Sequence, residues 1–138
     1  MQADFLDAHY RHWQDAEQLF ASGRWANADH LYGVAAECGL KHLMLAFGMS
    51  VDQKTGRPQD DKDRRHINNI SGRFESYRSG KVTGTDYTLP ASGFFDQWDI
   101  SDRYAHHSNF DSLRAQSRQT GAEFVCQLIK KAQRDGLL

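Results

Sequence analysis

ADHLYGVAAECGLKHLMLAFG, residues Ala28 to Gly48, carries the clearest pattern in the chain. It contains no proline. Tyr32, Ala35, Gly39, Leu43 and Phe47 follow one another at three- or four-residue steps, and Leu31, Ala36, Leu40 and Met44 widen the stripe; this is the period of an α-helix. At about 1.5 Å rise per residue the segment spans about 30 Å, the width of a small domain. Gly33, Ala35, Ala36 and Gly39 are small enough for neighbouring helices to approach closely, although a glycine costs roughly 1 kcal/mol of helix propensity relative to alanine. A helix that accepts that cost is expected to be packed on more than one side, as the central helix of a bundle.

Upstream, an apolar side made of Phe5, Leu6, Trp13, Ala16, Leu19 and Phe20 predicts a first helix over about Asp4 to Ser22, with Gly23 just past its end. The short connection makes the two helices antiparallel neighbours, and Asn27 or Asp29 is available to cap the central one. Downstream, the polar stretch MSVDQKTGRPQDDKD reads as a surface loop. Asp63 is then placed to cap a third helix, about Arg64 to Arg78, with Ile67, Ile70, Phe74 and Tyr77 on one face. SGKVTGTDYTLPASG predicts an irregular loop, after which Leu89, Phe94, Phe95 and Trp98 are expected to fold back as a short helix over the core. A last helix, about Phe110 to Arg134, would turn Leu113, Phe124, Val125, Leu128, Ile129 and Ala132 inward. No segment reads as a strand, so the expected fold is all-α: an antiparallel bundle of about four or five helices forming one domain over residues 1–138.

The 138 residues suffice for one domain with a real core. Hydrophobic residues make up 39% and charged residues 25%, the composition of an ordinary globular protein. A net charge of −1 gives no bulk electrostatic case for nucleic acid, so any such site must be a local basic patch. Cys38 and Cys126 each lie in an apolar helical pattern and read as buried thiols in a reducing compartment rather than a disulfide. The N-terminus carries Asp4 and Asp7 with no uninterrupted apolar run, and no stretch approaches the roughly 18 apolar residues of a spanning helix. A cytoplasmic protein with no membrane partner is expected.

The densest polar chemistry is WDISDRYAHHSNF, in which Arg103, His106, His107 and Asn109 crowd together beside Tyr104. In a helix, Arg103 and His107 would lie one turn apart on the same face. An arginine beside a histidine is what metal-free phosphoester cleavage requires. The guanidinium holds phosphate oxygens in two-point contact and stabilises developing charge; the imidazole takes a proton from a 2′-hydroxyl or returns one to the leaving group. The plainer reading is a helix start whose arginine and histidines face solvent. A second constellation is Glu37 and Lys41, in the favourable i, i+4 order on an otherwise apolar helix, with His30 on the same polar stripe. It reads either as a solvated edge or as a polar strip directed at a site or a subunit interface. His9 and His12, and His106 and His107, are histidine pairs, but zinc-spaced cysteines and His-Glu-x-x-His are absent, and so are phosphate-loop and dinucleotide fingerprints. No metal or cofactor is expected.

Three stretches together resemble the HEPN (higher eukaryotes and prokaryotes nucleotide-binding) family. AAECGLKHLMLAFG, Ala35 to Gly48, is similar to the family's second-helix pattern of small residues, a glutamate and Leu-Lys. RHINNI, Arg65 to Ile70, is similar to the His-x-x-x-aliphatic step that opens the next helix. The Arg103–His107 cluster stands where the family's Arg-x4–6-His motif is expected, with three residues between the two rather than four to six. The resemblance implies an all-α domain that dimerises with the two Arg/His motifs facing each other. It also implies either of two activities. One is a metal-independent endoribonuclease of a toxin–antitoxin or defence system. The other is a non-catalytic module that binds a nucleotide, RNA or a nucleotidyltransferase; the implied partners also include an antitoxin. On that reading Arg103, His107, His106 and Asn109 would be catalytic, and Glu37, Lys41 and Tyr104 would contact substrate, the helix pair pointing toward the Arg103–His107 region or its symmetry mate.

Overall fold

The computed structural model describes residues 1–91 and 93–138, and every regular element among them is helical. Helix α1, Phe5–Ala21, starts where the Asp4 carboxylate accepts the Asp7 backbone N–H at 3.0 Å, which satisfies one of the helix's orphan donors. Ser22 closes it and Gly23 turns the chain at φ +74°, a conformation glycine adopts without Cβ cost. Helix α2, Trp25–Ala46, then runs back along α1. It starts earlier than its apolar pattern indicates and has no side-chain cap: Asp29, one expected cap, is fully buried and engaged elsewhere.

The third helix departs from expectation. Residues Asp61–Arg64 form a 3-10 turn capped by Asp60, Arg65 is extended, and helix α3 covers only Ser71–Ser79. Asp63 cannot cap a helix at Arg64 because its carboxylate accepts from Arg73 Nε and Tyr77 Oη, both at 2.6 Å. Burial alone would raise its pKa, but those two partners outweigh burial and hold it below the usual carboxylate range. No short helix forms at Phe94–Trp98 either. That segment is a pair of turns, and only Trp98 of its aromatics is fully buried. Ser92, in the stretch expected to be an irregular loop, lies outside the described residues.

Helix α4, Ser112–Arg134, is capped by Asp111, which accepts from the Arg114 backbone N–H. Glu17 meets Gln119, and Tyr10 meets Gln133, so α4 is antiparallel to α1; Asp29 meets Arg118 while Gly39 lies against Val125, so α4 runs parallel to α2. Leu113 is 74% exposed rather than inward, because it sits two residues, about 200° of helix turn, from the buried face that begins at Ala115.

The small residues of α2 work as anticipated. At Gly39 a Cβ would lie 2.5 Å from Val125 Cγ1 and 2.8 Å from His9 Nδ1. His9 is fully buried and its Nδ1 donates to the Ala35 carbonyl at 2.8 Å, which leaves Nε2 buried without a partner. Burial lowers its pKa, with the Ala35 bond opposing. The unfolded chain therefore binds more protons than the native one below about pH 6.5, and stability falls as pH drops through that value until the folded pKa is passed. Denaturant titrations at pH 7.5 and 5.5 are expected to show this loss, at most about 1.4 kcal/mol per pH unit for one site. His9→Gln should flatten the slope by that site's share, and an unchanged slope would rule His9 out as a contributor.

Cys126 is buried and Cys38 half-buried, neither is in a disulfide, and burial pushes both thiols up to about 12. No helix among the described residues is long and apolar enough to cross a membrane.

Candidate functional site

The polar segment between Trp98 and α4 folds as two 3-10 turns, Ile100–Tyr104 and His107–Asn109, and not as the start of an α-helix. Ala105 and His106 between them are extended, with ψ of 151° and 142°. The chain advances there instead of winding, so the one-turn relation between Arg103 and His107 is lost. Among the described residues no hydrogen bond joins the two side chains: Arg103 lies over the Tyr104 ring, and the His107 ring pairs with that of His106.

Each turn is nonetheless firmly built. Asp99 and Asp102 form a capping box: the Asp99 carboxylate accepts from Ser101, and Asp102 accepts from the Asp99 backbone N–H at 3.1 Å. Asp102 also accepts from Arg114 Nη2 at 3.1 Å, and Arg114 Nε reaches Asp29 Oδ2 at 3.1 Å. Arg118 stands 3.5 Å from the same oxygen, an ion contact without hydrogen-bond alignment, and donates to the Phe94 carbonyl. Burial raises the pKa of Asp29 against the pull of Arg118 and Arg114, and burial lowers that of Arg118. This network fastens the Ile100–Tyr104 turn to α2 and α4.

On that base Arg103 and Tyr104 face solvent. The guanidinium lies over the Tyr104 ring at 4.8 Å, and Tyr104 is 78% exposed. The rings of His106 and His107 are 4.4 Å apart. His106 Nδ1 accepts from the Ser108 backbone N–H at 3.2 Å, so its neutral ring carries the proton on Nε2 and presents a donor. Asn109 donates its amide to the His106 carbonyl and serves the turn rather than an open site. His107 instead borders a groove of about 390 Å³ with Arg24, Trp25, Asn27 and Phe110 at the start of α2.

Glu37 and Lys41 make no hydrogen bond or ion pair with the described residues of this segment. They form a largely buried ion pair at 2.8 Å, their side chains 13% and 7% exposed, and the second Glu37 oxygen is 3.1 Å from His66 Nδ1. Compared with protein-family models, curated proteins and solved structures, the chain matches none. Its chemistry is therefore read from the geometry alone.

His30 of the polar stripe, with Trp98 and His66 from outside the expected set, joins the two regions. Trp98 is buried with its indole against Gly33, and Nε1 donates to the His30 carbonyl at 3.3 Å. The His30 ring stacks on the indole at 5.1 Å, and the His66 ring stands 6.2 Å from it at a tilt. Burial lowers the pKa of His30, and nearby Arg103 and His66 act on it electrostatically. His66 and Trp98 carry no isolated sequence signature. The usable signal was combined: His30 and Glu37 share a stripe on α2, and RHINNI brings a histidine back to it.

Proposed function

We propose that the chain is a HEPN-like domain that binds RNA or a nucleotide through the segment Arg103–Asn109. The observation that carries this reading is the Arg103 guanidinium lying over the solvent-exposed Tyr104 ring on a turn braced from below by Asp102 and Arg114. A cation beside an exposed ring is what single-stranded nucleic acid uses, the cation on a phosphate and the ring against a base. His106 adds a donor at Nε2 and His107 a neighbouring ring. With a net charge of −1, attraction comes from these local groups and not from the whole surface. The partners this reading allows are a second copy of the chain, an antitoxin or a nucleotidyltransferase.

Binding of a fluorescein-labelled single-stranded oligoribonucleotide, followed by anisotropy over a salt series, tests it. Tyr104→Ala is expected to weaken binding about 5- to 150-fold, from about 1–3 kcal/mol of lost stacking. Arg103→Ala should weaken all sequences alike and lower the salt slope by about 0.7 to 1. Wild-type protein that binds neither RNA nor nucleotide at low salt rejects the reading.

Cleavage by an Arg103–His107 pair is a separate matter. Because the two face solvent from separate turns, that pair would have to be assembled across two copies. Arg103→Ala mixed with His107→Ala should then restore part of the activity that each lacks.

A further inference from the structure

We propose that His66, held by Glu37 and Lys41, is a proton-transfer residue for phosphoester cleavage of RNA bound at Arg103 and Tyr104; this rests on the RNA-binding reading above. The motif is a carboxylate–histidine dyad. Glu37 Oε2 lies 3.1 Å from His66 Nδ1, and Glu37 Oε1 accepts from Lys41 Nζ at 2.8 Å. With Glu37 accepting at Nδ1, the Nε2 lone pair of His66 is free to take a proton. The side chains of Glu37 and Lys41 are nearly buried, whereas that of His66 is 44% exposed. The supporting pair is thus shielded and the acting ring reaches solvent.

Stability is a weak reason for this arrangement. A buried ion pair is often no better than apolar residues of the same volume, and α2 is otherwise built to be buried on that side. An orienting carboxylate fixes ring and tautomer for a general base.

The location is also right. His66 and His30 both pack near the Trp98 indole. Arg103 follows five residues later, past the extended Asp99 and within the Ile100–Tyr104 turn. The groups that bear on His66 are Glu37, paired with Lys41, and His30 from α2, and Asp99 from the segment after Trp98; Arg103 acts electrostatically on His30, the neighbour it shares with His66. His30 is the alternative base, but its Nδ1 is buried and without a partner.

In the step, His66 Nε2 removes the proton of a ribose 2′-hydroxyl as that oxygen bonds to phosphorus. The bond from phosphorus to the 5′-oxygen breaks. The departing oxygen takes a proton from water, and protonated His66 returns its proton to the hydroxide so formed. The products are a 2′,3′-cyclic phosphate and a 5′-hydroxyl, with Arg103 on the phosphate oxygens throughout.

The test is cleavage of end-labelled single-stranded RNA in EDTA, run with the anisotropy assay on the same preparations. Wild type is expected to yield cyclic-phosphate ends. His66→Ala should slow cleavage by about 100-fold or more while RNA affinity changes less than about threefold. His66→Gln, which keeps a donor for Glu37 but no titratable nitrogen, should do the same and guards against misfolding. Glu37→Gln, a positioning change, should leave affinity intact and displace the pH–rate profile. Wild type that binds RNA without cutting it overturns the proposal and leaves the binding reading standing. Cleavage that survives His66→Ala but falls in His107→Ala moves the role to His107, and equal cleavage by all variants identifies a contaminant. Absence of RNA binding overturns this proposal, and the binding reading falls with it when nucleotide is not bound either.

Discussion

Asp29→Ala is expected to destabilise the protein by about 3–5 kcal/mol, which is a large share of the roughly 5–15 kcal/mol available to a domain of this size. Asp29 is fully buried on α2 and is the acceptor for Arg114 and the ion partner of Arg118, itself only 5% exposed. Removing the carboxylate leaves a buried positive charge supported only by the Phe94 carbonyl. The mirror comparison separates that penalty from any net worth of the pair. Asp29→Leu combined with Arg118→Met removes both charges and should recover most of the loss, since apolar residues of similar volume replace buried pairs at little cost. Urea titration of the single and double variants reads both quantities. A single-variant loss below about 1 kcal/mol would show that solvent reaches Arg118. Arg114 also ties Asp29 to Asp102, so Asp29→Ala should loosen the Ile100–Tyr104 turn and weaken RNA binding in protein that is still folded.

The same ion cluster shows why the fold was easier to read than the site. Apolar periodicity reports which side of a helix is buried, and it located α1, α2 and α4 to within a few residues. It also identified the small positions of α2 that Trp98, His9 and Val125 occupy. It does not report what a polar residue will meet. Asp29 and Asp63 both look like helix caps, because aspartate at a helix start commonly is one. In the fold each is claimed by arginines from other elements, Arg114 and Arg118 for Asp29 and Arg73, ten residues on, for Asp63. At helical spacing Arg103 and His107 would share a face, but two extended residues, Ala105 and His106, undo that spacing. Glu37 and Lys41 stood out as polar exceptions, but their partner His66 is 29 residues from Glu37 and was visible only as one letter of RHINNI. Local pattern fixes which elements form; the meeting of polar groups across α2 depends on the long connection from Phe47 to Asp111, for which periodicity carries no information.

Trp98 is where fold and site depend on the same atoms, and Trp98→Ala is expected to cost about 3–5 kcal/mol. The indole is 1% exposed and lies so close to Gly33 that a Cβ there would fall 2.1 Å from Nε1 and 2.3 Å from Cε2. Those atoms belong to a rigid buried ring, so Gly33→Ala must displace it. The expected cost is about 1–3 kcal/mol from overpacking, after alanine's better helix propensity has offset part of the strain. Combining the two changes should be less damaging than the sum of the singles by about 1 kcal/mol or more, because the new methyl then enters space the indole has left. Thermal and denaturant unfolding of the four proteins measures this coupling, and additivity within about 0.5 kcal/mol would mean that the indole is not seated on Gly33. The functional readout should follow the indole rather than the stability. In Gly33→Ala the ring is pushed out from under His30, and Asp99 to Tyr104 begins at its backbone. RNA binding should therefore fall in Gly33→Ala even at temperatures where the protein is fully folded, although Gly33 itself is buried on α2 and contacts no solvent.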